Sequence, residues 1–249
     1  MNPLFSRLLP LTLAFALAAV GLTTPATSAP ASYRVLVIGD SISQDLGAGL
    51  YYELGASPRI QVINEGRPSS GLVDPGFYNW PAHLAKFLTQ YHPQVVVVLL
   101  GANDVRPLSA NGVTMPFNSP SWRRQYSASA AALMLEATAA GARVLWLGAP
   151  IMAVPQYSAG VARINTLFSI VSSGVSGVTY RATWNTLTGV PGHFEYRAQV
   201  NGLLQYVREP DGIHPTQTGW DVLATVVTRD LISLYHLPGR ATAPATLTR

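Results

Sequence analysis

The chain is 249 residues long, 48% hydrophobic and only 11% charged, which is material for one sizeable core and too little for two. Its formal net charge is +4 and no Lys/Arg run concentrates it, so the basic footprint of a nucleic-acid binder is missing. There are no cysteines, which excludes disulfides, thiol catalysis, thiolate metal sites and a lipid-modified N-terminal cysteine.

The first element in chain order is a leader. Met1 to Arg7 is short and basic, Leu8 to Leu22 is apolar, and Thr23 to Ala31 is small and polar, the order of a secretory signal peptide. Cleavage fits after Ala29, or after Ala31 where Ala29-Pro30-Ala31 supplies an A-x-A pattern. The competing reading is an uncleaved membrane anchor, but the apolar run is about 15 residues, broken by Pro10, and a spanning helix needs roughly 20. The sequence thus predicts a signal peptide over 1–31, a periplasmic or extracellular destination, and no stable membrane insertion after cleavage.

From Tyr33 short runs rich in Val, Ile and Leu alternate with longer amphipathic stretches, the rhythm of a parallel sheet covered by helices. Strands are predicted at Tyr33 to Ile38, Ile60 to Ile63, Val95 to Leu100, Ala142 to Leu147 and Gly177 to Tyr180. Helices are predicted at Ser43 to Leu54, Trp80 to Tyr91, Ser121 to Ala140, Ser158 to Ser172 and Thr216 to Tyr235, the last with Pro215 suited to its first turn. One interruption breaks the alternation: Glu195 to Val200 and Leu203 to Val207 flank Asn201-Gly202, a strong hairpin signal. The expected architecture is a three-layer α/β/α sandwich with a mainly parallel five-stranded sheet and a small β-hairpin insertion, occupying 32–237. A flexible Ala/Thr/Pro tail is expected over 238–249.

In an open parallel sheet ligands bind outside the carboxyl ends of the strands, so the segments just after the strands are where chemistry is sought. Gly39-Asp40-Ser41-Ile42-Ser43 follows the first strand; glycine permits a tight turn and the serine would present its hydroxyl near a helix start. Gly101-Ala102-Asn103-Asp104 follows the third. Asp211-Gly212-Ile213-His214-Pro215 precedes the last helix, and an Asp three residues before a His can reach the imidazole Nδ1 while Nε2 takes a proton from a serine. Each alone has an ordinary reading: a capped helix start, an Asx turn, a surface histidine. Their occurrence together, in this order, carries the argument.

Together these blocks resemble the signature of the SGNH (GDSL) hydrolase superfamily, and the likeness covers most of the chain after the leader. The resemblance implies a flavodoxin-like SGNH fold and a serine hydrolase with Ser41 as nucleophile, His214 as general base and Asp211 orienting it. It implies an oxyanion hole built from the Ser41 N–H, the Asn103 side-chain amide and a backbone N–H from the block after strand two. Here the chain departs from the usual pattern: the position five residues after Asn64 is Ser69 where family members carry glycine, and glycine comes only at Gly71. Gly71 is favoured as the second donor because Ser69-Ser70-Gly71-Leu72 has the small residues a close backbone approach to substrate requires. The Gly-x-Ser-x-Gly elbow of ordinary α/β-hydrolases is absent.

The stretch from Arg67 to Pro81 also resembles an exported bacterial subgroup of that superfamily associated with exopolysaccharide or cell-wall O-acylation. That likeness implies a secreted esterase acting on O-acetyl or other O-acyl esters of an exported polysaccharide. The alternatives are an O-acyltransferase for cellulose, another exopolysaccharide or peptidoglycan, and a non-catalytic polysaccharide-binding or assembly factor. The partners then expected are an acylated carbohydrate or small ester and the exopolysaccharide synthesis machinery. Candidate substrate contacts are Arg67, Ser69, Ser70, Trp80 and Arg106, with Phe77, Tyr78 and Trp122 as further aromatics, although for Trp80 and Trp122 taken singly anchoring a helix start to the core is the preferred reading. Asp40 and Asp104 read as capping or loop-bracing groups. His83, His92, His193 and His236 lack metal-ligand spacing, and no Gly-rich phosphate loop occurs, so neither a metal nor a nucleotide cofactor is expected.

Overall fold

The computed structural model describes residues 33–110 and 112–237. The expected signal peptide and C-terminal tail lie outside the described residues. The chain runs β1 (Tyr33–Gly39), α1 (Ser41–Leu54), β2 (Ile60–Gly66), α2 (Trp80–Tyr91), β3 (Val95–Leu99), β4 (Leu108–Ala110), β5 (Val113–Met115), α3 (Pro120–Ala139), β6 (Arg143–Leu147), α4 (Pro155–Ser173), β7 (Val178–Arg181), β8 (Arg197–Val200), β9 (Leu203–Tyr206) and α5 (Gln217–Tyr235). Strands β2-β1-β3-β6-β7 form one sheet in that order, and every pairing within it is parallel. The three-layer sandwich with a five-stranded sheet expected from the sequence is therefore the observed fold.

Alternation along β1 sets the two faces. Val35 and Val37 point into a core with Leu46 and Leu50 of α1 and Leu223 and Val227 of α5. Leu36 and Ile38 point the other way, into a core with Leu84 of α2, Tyr126 and Leu133 of α3 and Phe168 of α4. β3 is buried along its whole length. Its five apolar side chains stabilise the fold by roughly 1.5–3 kcal/mol each, so the sheet's centre is rigid and the loops above it inherit fixed positions.

Register then gathers the loops. Gly39 of β1 lies opposite Gly66 of β2 and Leu99 of β3, so three strands end at one level. The strand order reverses at β1, which makes the crevice above β1 and β3 the switch point of the sheet. Ser41, the turn after β2 and Asn103 all sit there.

Several boundaries differ from expectation. Helix α1 begins at Ser41 rather than Ser43, because Asp40 caps it. β2 runs on to Gly66, and the loop after Asn103 holds a small antiparallel pair, β4 and β5, whose three-residue strands are too short to show a period. The β8–β9 hairpin forms around Asn201-Gly202, both at positive φ, as a separate two-stranded sheet. Among the described residues no helix is long and apolar enough to cross a membrane.

Candidate functional site

β1 leaves the sheet at Gly39, whose φ of 137° is open only to glycine and where a Cβ would collide with the Leu99 carbonyl. The chain then enters α1 through Asp40. Its Oδ1 accepts the N–H of Ile42 at 3.0 Å and its Oδ2 accepts the N–H of Ala102 at 3.2 Å, so one buried carboxylate caps the helix and ties its start to the loop after β3. Ser41 is consequently the first helical residue, partly exposed, with its own N–H among the first-turn donors that a helix leaves unpaired.

The second part of the site is the loop between β9 and α5. Asp211 Oδ1 accepts the backbone N–H groups of Ile213 and His214 at 2.8 and 2.9 Å, which folds the Asp-Gly-Ile-His segment into a turn. Its Oδ2 lies 2.6 Å from His214 Nδ1, and His214 Nε2 lies 2.8 Å from Ser41 Oγ. Burial pushes the Asp211 carboxyl up, but the hydrogen bonds from His214 and Ile213 and the His214 charge outweigh it and hold the group below its ordinary value. Ser41, His214 and Asp211, 173 residues apart in sequence at the widest step, thus form one continuous hydrogen-bonded line.

A third part comes from the loops after β2 and β3. Arg67, Pro68, Ser69 and Ser70 make a turn closed by the Ser70 N–H on the Arg67 carbonyl at 3.2 Å, with Ser69 at φ 64°. That is the left-handed region glycine usually fills, so Ser69 holds a conformation that glycine adopts more easily. Asn103 donates its side-chain amide to the Ser70 carbonyl at 2.9 Å. Asp104, also buried, accepts the N–H groups of Leu72 and Val73 and the Tyr126 hydroxyl, at 3.0, 3.3 and 2.7 Å. The two buried aspartates therefore bind the three strand-end loops to one another. Burial pushes Asp40 up to about 7 against its hydrogen bond from Ile42, and Asp104 adds to the rise; burial raises Asp104 in the same way.

These contacts correct parts of the sequence reading. Gly71 is buried and a Cβ on it would meet Asp104, so its smallness makes room for that carboxylate. Trp80 and Trp122 are 1% and 0% exposed; Trp80 donates to Ser70 Oγ and Trp122 to the Arg106 carbonyl. Trp80 and the equally buried Ser70 are thus joined to each other within the framework of the loop. Ser69 remains exposed. Arg67 lies over Phe77 and Tyr78 of its own loop, and Arg106 of the loop after β3 pairs at 3.4 Å with Asp74 of the loop after β2, so each arginine already has a partner. Among the described residues no group of three or more His, Asp or Glu could hold a metal ion.

Two features escaped the sequence. Arg208 is 1% exposed and donates to the carbonyls of Ile213 and Ile151, clamping the Asp211–His214 turn to the loop after β6. Burial pulls its guanidinium down to about 10, with Asp211 acting in the opposite direction. The other is the pair Tyr196 and Tyr206, half-exposed aromatics where the hairpin meets this turn. An arginine three residues before Asp211 was the only available signal for the first, and the aromatic content of the hairpin for the second.

Solved structures with this fold include TesA, 23% identical, with 80% of this chain and 97% of that chain covered and a TM-score of 0.56. A carbohydrate esterase family 3 from Talaromyces cellulolyticus is 15% identical over 82% of this chain and 98% of its own, TM-score 0.56. A catalytic mutant of Axe2, an acetylxylan esterase from Geobacillus stearothermophilus, is 16% identical over 82% and 95%, TM-score 0.57. No curated protein matches the chain by sequence. The fold is thus shared with these solved structures, and the chain, matched over residues 34–230, belongs to the family described as "Protein of unknown function (DUF459)".

Proposed function

We propose that this protein is an exported serine esterase that cleaves O-acyl esters of a polysaccharide through an acyl-serine. The observation that carries the reading is the line Asp211 Oδ2, His214, Ser41 Oγ, with separations of 2.6 and 2.8 Å. A serine at a helix start, an imidazole on its oxygen and a carboxylate on the far nitrogen are the parts that acyl transfer requires. The leader-like N-terminal residues support export. Two neighbours of the same fold, an acetylxylan esterase and a carbohydrate esterase, support an acylated saccharide as the substrate class.

In this mechanism His214 Nε2 takes the Ser41 proton as Oγ bonds to the ester carbonyl carbon, and the carbonyl oxygen becomes an oxyanion. Its donors are the Ser41 N–H, the second hydrogen of the Asn103 amide, and a backbone N–H of the turn after β2. We assign the last to Ser69 in place of Gly71, because Ser69 is exposed and adjoins the carbonyl that holds Asn103. Pre-aimed donors of this kind are each worth about 10²- to 10³-fold in rate. The carbon–oxygen bond to the sugar then breaks, and His214 passes its proton to the departing alkoxide. Water attacks the acyl-serine with His214 again as base, releasing the acid and restoring Ser41. Both His214 and Asp211 are open to solvent, which favours water over a sugar hydroxyl as the second nucleophile.

The test is turnover of a p-nitrophenyl acetate series by the purified protein beside Ser41→Ala, with covalent capture by a fluorophosphonate. Hydrolysis and capture that both depend on Ser41 are expected. Their absence would overturn the enzyme reading, and acetyl transfer to added glucan in preference to hydrolysis would replace it with the transferase.

A further inference from the structure

Trp80 and Trp122, two of the aromatics expected to meet substrate, are internal, and a different aromatic surface borders the catalytic turn. A cavity of about 580 Å³ is lined by Tyr196, Tyr206, Arg208, Glu209, Pro210 and Thr216. Glu209 and Pro210 run directly into Asp211, and the Tyr196 hydroxyl lies 3.5 Å from where a Cβ on Gly212 would stand. The cavity and the Asp211–His214 turn therefore share a wall.

The hairpin is fastened to that wall. The N–H groups of Val207 and Arg208 donate to the Tyr196 carbonyl at 2.9 and 3.3 Å, and Thr216 donates through its hydroxyl to the Tyr206 carbonyl at 2.7 Å. Both tyrosines stand at its base, yet Tyr196 is 42% and Tyr206 56% exposed. The Arg197 guanidinium covers one face of Tyr206 at 4.2 Å, and Phe194 meets Tyr196 edge-on at 4.9 Å, so each ring is held in place by a neighbour. Fixed, half-exposed tyrosines lose little entropy on binding and offer an apolar ring face beside a hydroxyl.

The rim decides the ligand's chemistry. A fatty-acyl chain would call for a continuous aliphatic lining, whereas this cavity combines two tyrosine rings with the Glu209 carboxylate and the Thr216 hydroxyl. That set matches a sugar ring, which has an apolar CH face and a girdle of hydroxyls. Arg208 is buried beneath it and makes no salt bridge among the described residues, and its Nε–H has no acceptor. It serves as the floor that holds cavity and turn together.

We propose that Tyr196 and Tyr206 form a saccharide-binding subsite, on the wall shared with the Asp211–His214 turn, that holds the polysaccharide chain beyond the acylated sugar. This rests on the esterase reading for its purpose, but binding itself can be measured without turnover. Ser41→Ala protein titrated calorimetrically with cellotetraose and xylotetraose should bind at least one of them. Tyr206→Ala or Tyr196→Ala, each placed in that background, should weaken binding at least tenfold, and Tyr206→Phe should restore most of it. Near-native circular dichroism of the alanine variants separates lost binding from lost fold. Absence of binding by both oligosaccharides, or binding indifferent to both tyrosines, would overturn the subsite. So would a preference of the active protein for long-chain over acetyl p-nitrophenyl esters that Tyr206→Ala abolishes, since the cavity would then hold the acyl chain. Saccharide binding without Ser41-dependent hydrolysis would instead refute the esterase reading and leave the subsite standing.

Discussion

Arg208 donates to the carbonyl of Ile213 at 2.7 Å, one residue before His214, and with its other terminal nitrogen to Ile151. A buried guanidinium with two carbonyl partners holds the base-bearing turn against the loop after β6. Hydrogen bonds from a charged donor contribute about 1.5–3 kcal/mol each, and truncation also strands both acceptors. Arg208→Met should lower stability by about 3 kcal/mol or more, and lower kcat at temperatures where the variant is still folded. Arg208→Lys, able to serve one carbonyl at a time, should fall between. Denaturant titration beside p-nitrophenyl acetate kinetics checks both; full activity in a folded Arg208→Met protein would mean that the turn holds itself.

Asn103 is the side chain through which the loop after β3 reaches the site. Its amide gives one hydrogen to Ser70 and has a second for the oxyanion. Asn103→Ala should cut kcat on p-nitrophenyl acetate by about 10²- to 10³-fold, with a much smaller change in KM, since the bond matters only in the transition state. Asn103→Asp should be worse, because it sets a negative charge where one develops. A rise in KM with kcat intact would place Asn103 in substrate binding instead.

Stability should depend on pH through Asp40. Burial raises its carboxyl from 3.8 in the unfolded chain to about 7 in the folded one, so the folded protein holds an extra proton between those values. The contribution of this group is full below the unfolded value, declines as pH rises toward about 7, and then levels off, amounting to about 4 kcal/mol. Asp104 shifts in the same direction, while Asp211, shifted downward, loses its contribution only at more acidic pH. Urea titrations between pH 4.5 and 7.5 should show stability falling with pH, and a shallower fall in Asp40→Asn. An unchanged slope in that variant would show Asp40 to be ionised throughout.

The sheet and its helices were legible because short runs rich in Val, Ile and Leu alternate with stretches whose helix periodicity is long enough to count. Ser41, Asn103, Asp211 and His214 were legible through the resemblance that their blocks carry together, which survives without any contact information. What the sequence hid depends on contacts between distant segments. Ser69 looks like a departure from the glycine pattern, and only its φ of 64° shows that it holds a left-handed conformation that favours glycine. Trp80 sits beside loop aromatics, and only packing distinguishes it from exposed Phe77. Arg208 is hidden for a related reason: its partners are carbonyls, which leave no trace in side-chain chemistry.

Gly71 offers the sharpest separation of a framework role from a role in substrate approach. Its missing side chain makes room for Asp104, whose carboxylate accepts the next two backbone N–H groups, at Leu72 and Val73. A methyl group there must displace a buried carboxylate that also accepts from Tyr126, so space, hydrogen bonds and charge are all disturbed at once. Gly71→Ala should destabilise the protein by about 2–4 kcal/mol, in the range of overpacked cores and broken buried networks. Because the same carboxylate connects two strand-end loops, activity should fall with the melting temperature. Ser69→Gly should instead raise the melting temperature, since it relieves a left-handed serine at a cost of roughly 1–2 kcal/mol. Opposite signs in the two thermal scans would place the strained corner of the turn at Ser69 and its packed anchor at Gly71. If Gly71→Ala melts like the parent protein but loses activity, the approach to substrate lies at Gly71 after all.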